Sequence, residues 1–97
     1  MSTIAVIDFE TSGLMPEAGG RATEVAIVLV DQGRIVDRFA SLMNAGVWIP
    51  SFITELTGIS NAMVNAAPPA AQVMADAARF VARLNDAINA ISREPAM

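Results

Sequence analysis

Ala22-Thr23-Glu24-Val25-Ala26-Ile27-Val28-Leu29-Val30-Asp31-Gln32-Gly33-Arg34 is the stretch from which the fold reads outward. The run Val25 to Val30 is apolar at every position, the pattern of a central strand covered on both faces rather than one with a wet side. Asp31-Gln32-Gly33 follows as a hairpin turn, with Gly33 placed for positive φ. Arg34 to Leu42 returns as the next strand, with more polar alternation. Upstream, Thr3 to Phe9 forms another short apolar strand, and a loop from Leu14 to Gly20, marked by Pro16 and Gly19-Gly20, separates it from the hairpin. The first half of the chain is therefore three strands, of which the last two pair as a hairpin.

Past Asn44-Ala45-Gly46 the period changes. Pro50 and Ser51 carry the chemistry of a helix start and Thr57-Gly58 that of a stop, while Ser60 is placed to cap a further helical turn. Pro68-Pro69 then precedes a long helix from about Ala70 to Ser92. Its apolar residues Val73, Ala77, Phe80, Leu84, Ile88 and Ile91 recur every three or four positions, with Asp76, Arg79, Arg83 and Asp86 mostly on the other side. A stripe of this width is a packing surface, as core or as an oligomer seam.

The 97 residues allow one domain. Apolar residues make up 54% of the chain, yet no uninterrupted stretch approaches the roughly 20 residues of a membrane span, and the N-terminus lacks a secretory pattern. The expectation is a soluble, cytoplasmic protein with no membrane partner. Cysteine is absent, which excludes disulfides and thiolate metal sites. Histidine is absent too, so the commonest general base is missing and any metal must be bound through oxygen, favouring Mg²⁺ or Mn²⁺ over Zn²⁺. A net charge of −4 with six basic residues is a poor footprint for tight duplex binding. A nucleic-acid substrate would need metal ions for much of its charge neutralisation.

The apolar run Ile4-Ala5-Val6-Ile7 leads into Asp8-Phe9-Glu10-Thr11-Ser12-Gly13. On a strand, residues i and i+2 leave the same face, so Asp8 and Glu10 present two carboxylates side by side, roughly 7 Å apart at their origins. Such a pair can grip a hard cation and supplies half of a two-ion phosphodiester site. The same residues also fit plain turn chemistry, because Asp and Ser bond their own backbone and Gly supplies positive φ. Trp48 is open in the same way, as a stacking surface for a base or as a core residue beside Val47 and Ile49.

Taken in order, Ile7-Asp8-Phe9-Glu10-Thr11-Ser12-Gly13-Leu14, then Glu24-x-Ala26, a hairpin, and Ile53-Thr54-Glu55-Leu56-Thr57-Gly58-Ile59 with Val64 and Pro68-Pro69, the chain resembles the DEDD-type 3′–5′ exonucleases. The branch it is most similar to holds the proofreading subunit of bacterial DNA polymerase III and ribonuclease T. The resemblance runs from Ile4 to about Phe80. It implies an α/β fold of ribonuclease-H type in truncated form: a three-stranded sheet, short helices and one long C-terminal helix. It also implies catalytic, metal-binding roles for Asp8, on both ions, and Glu10, on one. The ions are Mg²⁺ or Mn²⁺, and Thr11, Gly13 and Leu14 lie against the substrate, a single-stranded DNA or RNA 3′ end. Glu24 matches a family glutamate, although a single acid at a strand start is usually a solvated, salt-bridged or turn-capping residue. A polymerase subunit is a partner the resemblance implies.

The chain departs from the family pattern after the long helix begins. The family needs further carboxylates and a His or Tyr from a His-Asn-x-x-Phe-Asp motif and a third motif. The nearest stretches here, Asn85-Asp86-Ala87-Ile88-Asn89 and Asn89-Ala90-Ile91-Ser92-Arg93, lack the expected aspartate. Asn carries no full charge, and Arg repels a metal. Residues 1–97 are thus expected to form a single, incomplete exonuclease-like domain with little activity alone, and with Thr3 to Phe9 as an open edge that invites pairing with another chain. The alternative is a non-catalytic module that associates with itself or a partner through that edge or the long helix.

Overall fold

The computed structural model describes residues 3–13 and 15–93, with the side chains of Pro16 and of residues 84–93 outside that description. Strands β1 (Thr3–Thr11), β2 (Ala22–Asp31) and β3 (Arg34–Leu42) are followed by helices α1 (Ser51–Thr57), α2 (Asn61–Asn65) and α3 (Ala70–Arg93). The strands form one antiparallel sheet in the order β1-β2-β3. β1 runs two residues further than Phe9, because β2 already pairs with Thr11 from Ala22. The loop between them contains a 3₁₀ turn at Pro16–Ala18.

The hairpin turns as the sequence predicts. Gln32 and Gly33 both adopt positive φ, 52° and 76°, the type I′ geometry whose twist matches that of the flanking strands. The expectation that β2 is covered on both faces needs correction. Thr23, Val25, Ile27 and Leu29 are buried, whereas Glu24, Ala26, Val28 and Val30 are half-buried. Only one face meets α3, whose Val73, Ala77 and Phe80 close the main core with Val25, Ile27, Leu29 and Met43. The Phe39 and Phe80 rings tilt against each other with centroids 5.6 Å apart, and the Arg83 guanidinium lies 5.4 Å over Phe80. Of the long helix's apolar stripe, Leu84, Ile88 and Ile91 have side chains outside the described residues.

A second, smaller core gathers Ile49, Ile53, Ile59 and Val64 against Leu42 at one end of the sheet. The start and stop of α1 and the start of α2 fall where the sequence places them. Gly58 takes the left-handed position that ends α1, its N–H donating to Thr54 O at 2.8 Å. The Met63 N–H donates to Ser60 Oγ at the start of α2. Asn61 clamps the Ile49 backbone in both directions, accepting from its N–H at 2.8 Å and donating to its carbonyl at 2.9 Å. Asn44 and Pro69 form an isolated β-bridge that ties the start of α3 to the end of β3.

Among the described residues β1 pairs with β2 alone, leaving its other edge open. Ile4, Val6, Ile7 and Phe9 are exposed there. On the α3 side a cleft of about 180 Å³ runs between Ile7 and Phe9 of β1 and Met74, Ala78 and Val81 of α3. No helix among the described residues is long and apolar enough to cross a membrane. Because Phe80 joins helix, sheet and the Phe39 ring, Phe80→Ala is expected to cost about 3–5 kcal/mol of stability. Urea denaturation checks this, and a loss below about 1 kcal/mol would show that α3 does not hold the main core together.

Candidate functional site

Directly opposed residues in an antiparallel ladder point to the same face. Phe9 lies opposite Val25 and Ile7 opposite Ile27, so these belong to the α3 face. Asp8 lies opposite Ala26, which lies opposite Ala40, and Glu10 opposite Glu24, which lies opposite Leu42. Asp8, Glu10 and Glu24 therefore share the face turned away from α3, and Leu42 on that face is the residue against which the α1–α2 core packs. The acids sit within a strand, not in the turn that follows it, which favours the paired-carboxylate reading over turn chemistry. Asp8 retains some of the latter, since its Oδ1 accepts from the Phe9 N–H at 3.0 Å. Glu24 forms no salt bridge among the described residues, where the ion pair is that of Asp76 with Arg79.

The segment after Glu10 is held from two sides. From β2, Thr23 Oγ1 donates to the Glu10 carbonyl at 3.2 Å, next to a register shift between Glu10 and Thr11. Ser12 is fully buried, its N–H donating to Arg21 O at 2.9 Å and its Oγ accepting from the Arg21 N–H at 3.1 Å. Thr11 Oγ1 accepts from the Gly13 N–H at 3.2 Å. From the other side comes α1. Gly13 has φ +85°, and a Cβ there would overlap Ile53 Cδ1 and stand 2.7 Å from Ile53 Cγ1. Two motif segments forty residues apart in sequence thus meet backbone to side chain. Leu14 lies outside the described residues. Sequence reading gave no site role to Thr23, nor to Ile53 beyond its place in the second matching segment. The first looks like an ordinary strand residue and the second like an ordinary core residue, and only the register shift and the close approach reveal them.

Trp48 is 75% exposed, which overturns its core reading. It precedes α1, whose Phe52 and Leu56, one helical turn apart, are also exposed. This apolar ridge stands on the unit that walls the Gly13 turn.

As a metal site the donors are hard oxygens of the right kind but few. No group of three or more His, Cys, Asp or Glu among the described residues is arranged to hold an ion. A hydrated divalent cation keeps several waters and needs only one or two carboxylates, so Asp8 and Glu10 are the pair that would hold one. They do not complete a two-ion cage. The side chains of both stretches considered for the second motif, residues 85–93, fall outside the described residues.

The sequence profile of the exonuclease family of ribonuclease T type matches residues 5–91. The chain belongs to this exonuclease family. Among its relatives, the 3′–5′ exonuclease DinG of Bacillus subtilis is 41% identical over 83 residues, covering 79% of this chain and 9% of DinG. The DNA polymerase III subunit epsilon of Aquifex aeolicus is 37% identical over 79 residues, 81% of this chain and 39% of that subunit. In structure the chain is similar to the nuclease domain of 3′hExo, a DEDDh family member solved bound to rAMP. The TM-score is 0.73 at 26% identity, over 87% of this chain and 45% of that one. The chain thus spans less than half the length of each of these relatives. Enzymes of the family depend on divalent metal, and the ribonuclease-H-like fold read from the motifs is the fold of these neighbours.

Replacing Gly13 by Ala forces a β-carbon into Ile53 and an L-residue into the left-handed region. The expected loss is about 2–4 kcal/mol, measured by denaturant unfolding. A near-neutral result would mean that α1 yields without cost.

Proposed function

We propose that this chain provides the metal-gripping strand of a 3′–5′ exonuclease site, in which Asp8 and Glu10 bind Mg²⁺ or Mn²⁺ and the substrate is a single-stranded DNA or RNA 3′ end. The observation that carries this reading is the placement of both carboxylates of the matched motif on one open face of β1, away from α3. A bound ion there would polarise the phosphoryl oxygen and lower the pKa of an attacking water. Thr11 and Gly13, at the end of the same strand, are the backbone nearest the terminal nucleotide, and exposed Trp48 offers a face for a base. Polymerase binding rests on the likeness to the epsilon subunit alone.

Release of nucleotides from a 3′-labelled single-stranded oligonucleotide in Mn²⁺ tests the reading. Turnover abolished by Asp8→Ala/Glu10→Ala supports it; turnover that survives the double substitution contradicts it. Metal should also stabilise the fold, by about 1.4 kcal/mol at tenfold excess over its dissociation constant. Thermal denaturation with and without Mg²⁺ reads this shift, which the double variant should lack.

A second reading is favoured by the open apolar edge of β1 and the cleft beside it: association of two copies, or of a partner, by strand addition. Sedimentation that shows a dimer in wild type and a monomer in Val6→Lys would support it, and a monomer at all concentrations would remove it.

A further inference from the structure

Ile53 is the buried residue of α1, and it faces two ways. It belongs to the small core of Ile49, Ile59 and Val64, and it fills the space a β-carbon would occupy on Gly13. From Gly13 the connection runs to the acids in two steps. The Gly13 N–H is bonded to Thr11 Oγ1, and Thr11 is the neighbour of Glu10, whose carbonyl Thr23 holds from β2. Ser12, between Thr11 and Gly13, is fully buried and bonded both ways to the Arg21 backbone. The strand end that carries Glu10 is therefore gripped from β2 through Thr23 and Ser12 and from α1 through Ile53.

The hold from α1 is specific in shape. The end of the Ile53 side chain sits where a β-carbon on residue 13 would stand, and Gly13 is in a conformation that L-residues rarely adopt. A metal ligand set is sensitive to such support, because a carboxylate displaced by a fraction of an ångström loses its share of the ion.

We infer that Ile53 is a positioning residue for the acidic pair: seated against Gly13, it fixes the Glu10–Gly13 segment and thereby the placing of the Glu10 carboxylate for a divalent cation. This rests on the metal-binding reading of Asp8 and Glu10. It gives α1 a role beyond packing, since the helix that exposes Phe52 and Leu56 is also the one that sets the ligand strand. Disturbance of α1 is felt at the acids before the sheet opens.

Two readouts on the full chain test it. The first is the amide spectrum of residues 10–13 without metal. The second is paramagnetic broadening of the Asp8 and Glu10 amide signals during Mn²⁺ titration. Ile53→Ala should shift the metal-free signals of Glu10, Thr11 and Gly13 and raise the Mn²⁺ midpoint roughly 10-fold. Ile53→Val, which keeps Cγ1 but loses the Cδ1 nearest Gly13, should give a midpoint between those of wild type and Ile53→Ala. Val64→Ala is the control. Val64 is equally part of the small core and 1% exposed, so its truncation should lower the melting temperature comparably. It does not wall Gly13, so the midpoint should stay within about twofold of wild type. Equal effects of Ile53→Ala and Val64→Ala on both readouts would reduce Ile53 to a core residue and overturn the inference. So would unmoved signals and an unmoved midpoint in Ile53→Ala. A wild-type chain whose Asp8 and Glu10 signals Mn²⁺ never broadens would sink the metal reading itself, and the metal-free spectra would then show whether α1 holds the segment at all.

Discussion

A one-residue slip of β1 against β2 would exchange the two faces of the strand, turning Asp8 and Glu10 toward Val73, Ala77 and Phe80 and setting Ile7 and Phe9 among the acids. Everything else about the site depends on that register being single-valued. Burying a carboxylate against an apolar helix without a partner costs several kcal/mol at least, so the slipped pairing is strongly disfavoured. The same parity that keeps the acids out of the core keeps them on one face together with Glu24. The pairing is reinforced where it matters most, at the Glu10 end, by the Thr23 hydroxyl and the buried Ser12.

The two cores have different tasks. The larger one, between β2 and α3, anchors the sheet and leaves the acidic face untouched. The smaller one, around Ile49, Ile53, Ile59 and Val64, is braced by Asn61 on the Ile49 backbone and reaches the site through Gly13. Its helices are short, seven and five residues, too short to be stable alone, so their caps and this packing are what keep them folded. The site is thus assembled at the junction of a strand that brings charge and a helix that brings shape.

The chain belongs to a metal-dependent exonuclease family, yet its donor count among the described residues differs from what two-ion hydrolysis requires. Two carboxylates on a rigid strand satisfy one hydrated ion; a second ion at about 3.5–4 Å needs further ligands on the same face. That face is open, and the alanines of the row Asp8–Ala26–Ala40 leave room above it. The apolar edge of β1 is open as well. Among the described residues the two acids and the unpaired edge of β1 lie side by side, so an element added at that edge would stand next to the acids.

The sequence by itself determined the strand boundaries to within two residues, the hairpin turn at Gln32-Gly33, the start of α1 and its Gly58 stop, the Ser60 cap of α2, and the start of α3 after Pro68-Pro69. These are local: apolar period, cap chemistry and positive φ act over a few residues. It also put Asp8 and Glu10 on one face, because a two-residue spacing on a strand is a statement about one face. Only the tertiary structure decided that β2 is covered on one side rather than two, that Trp48 is a surface residue, and that Gly13 faces Ile53 rather than serving the turn alone. Hydrophobicity says that a side chain prefers burial, not which element arrives to bury it. The close approach of the Ile53 side chain to a glycine forty residues away leaves no mark in the local pattern of either.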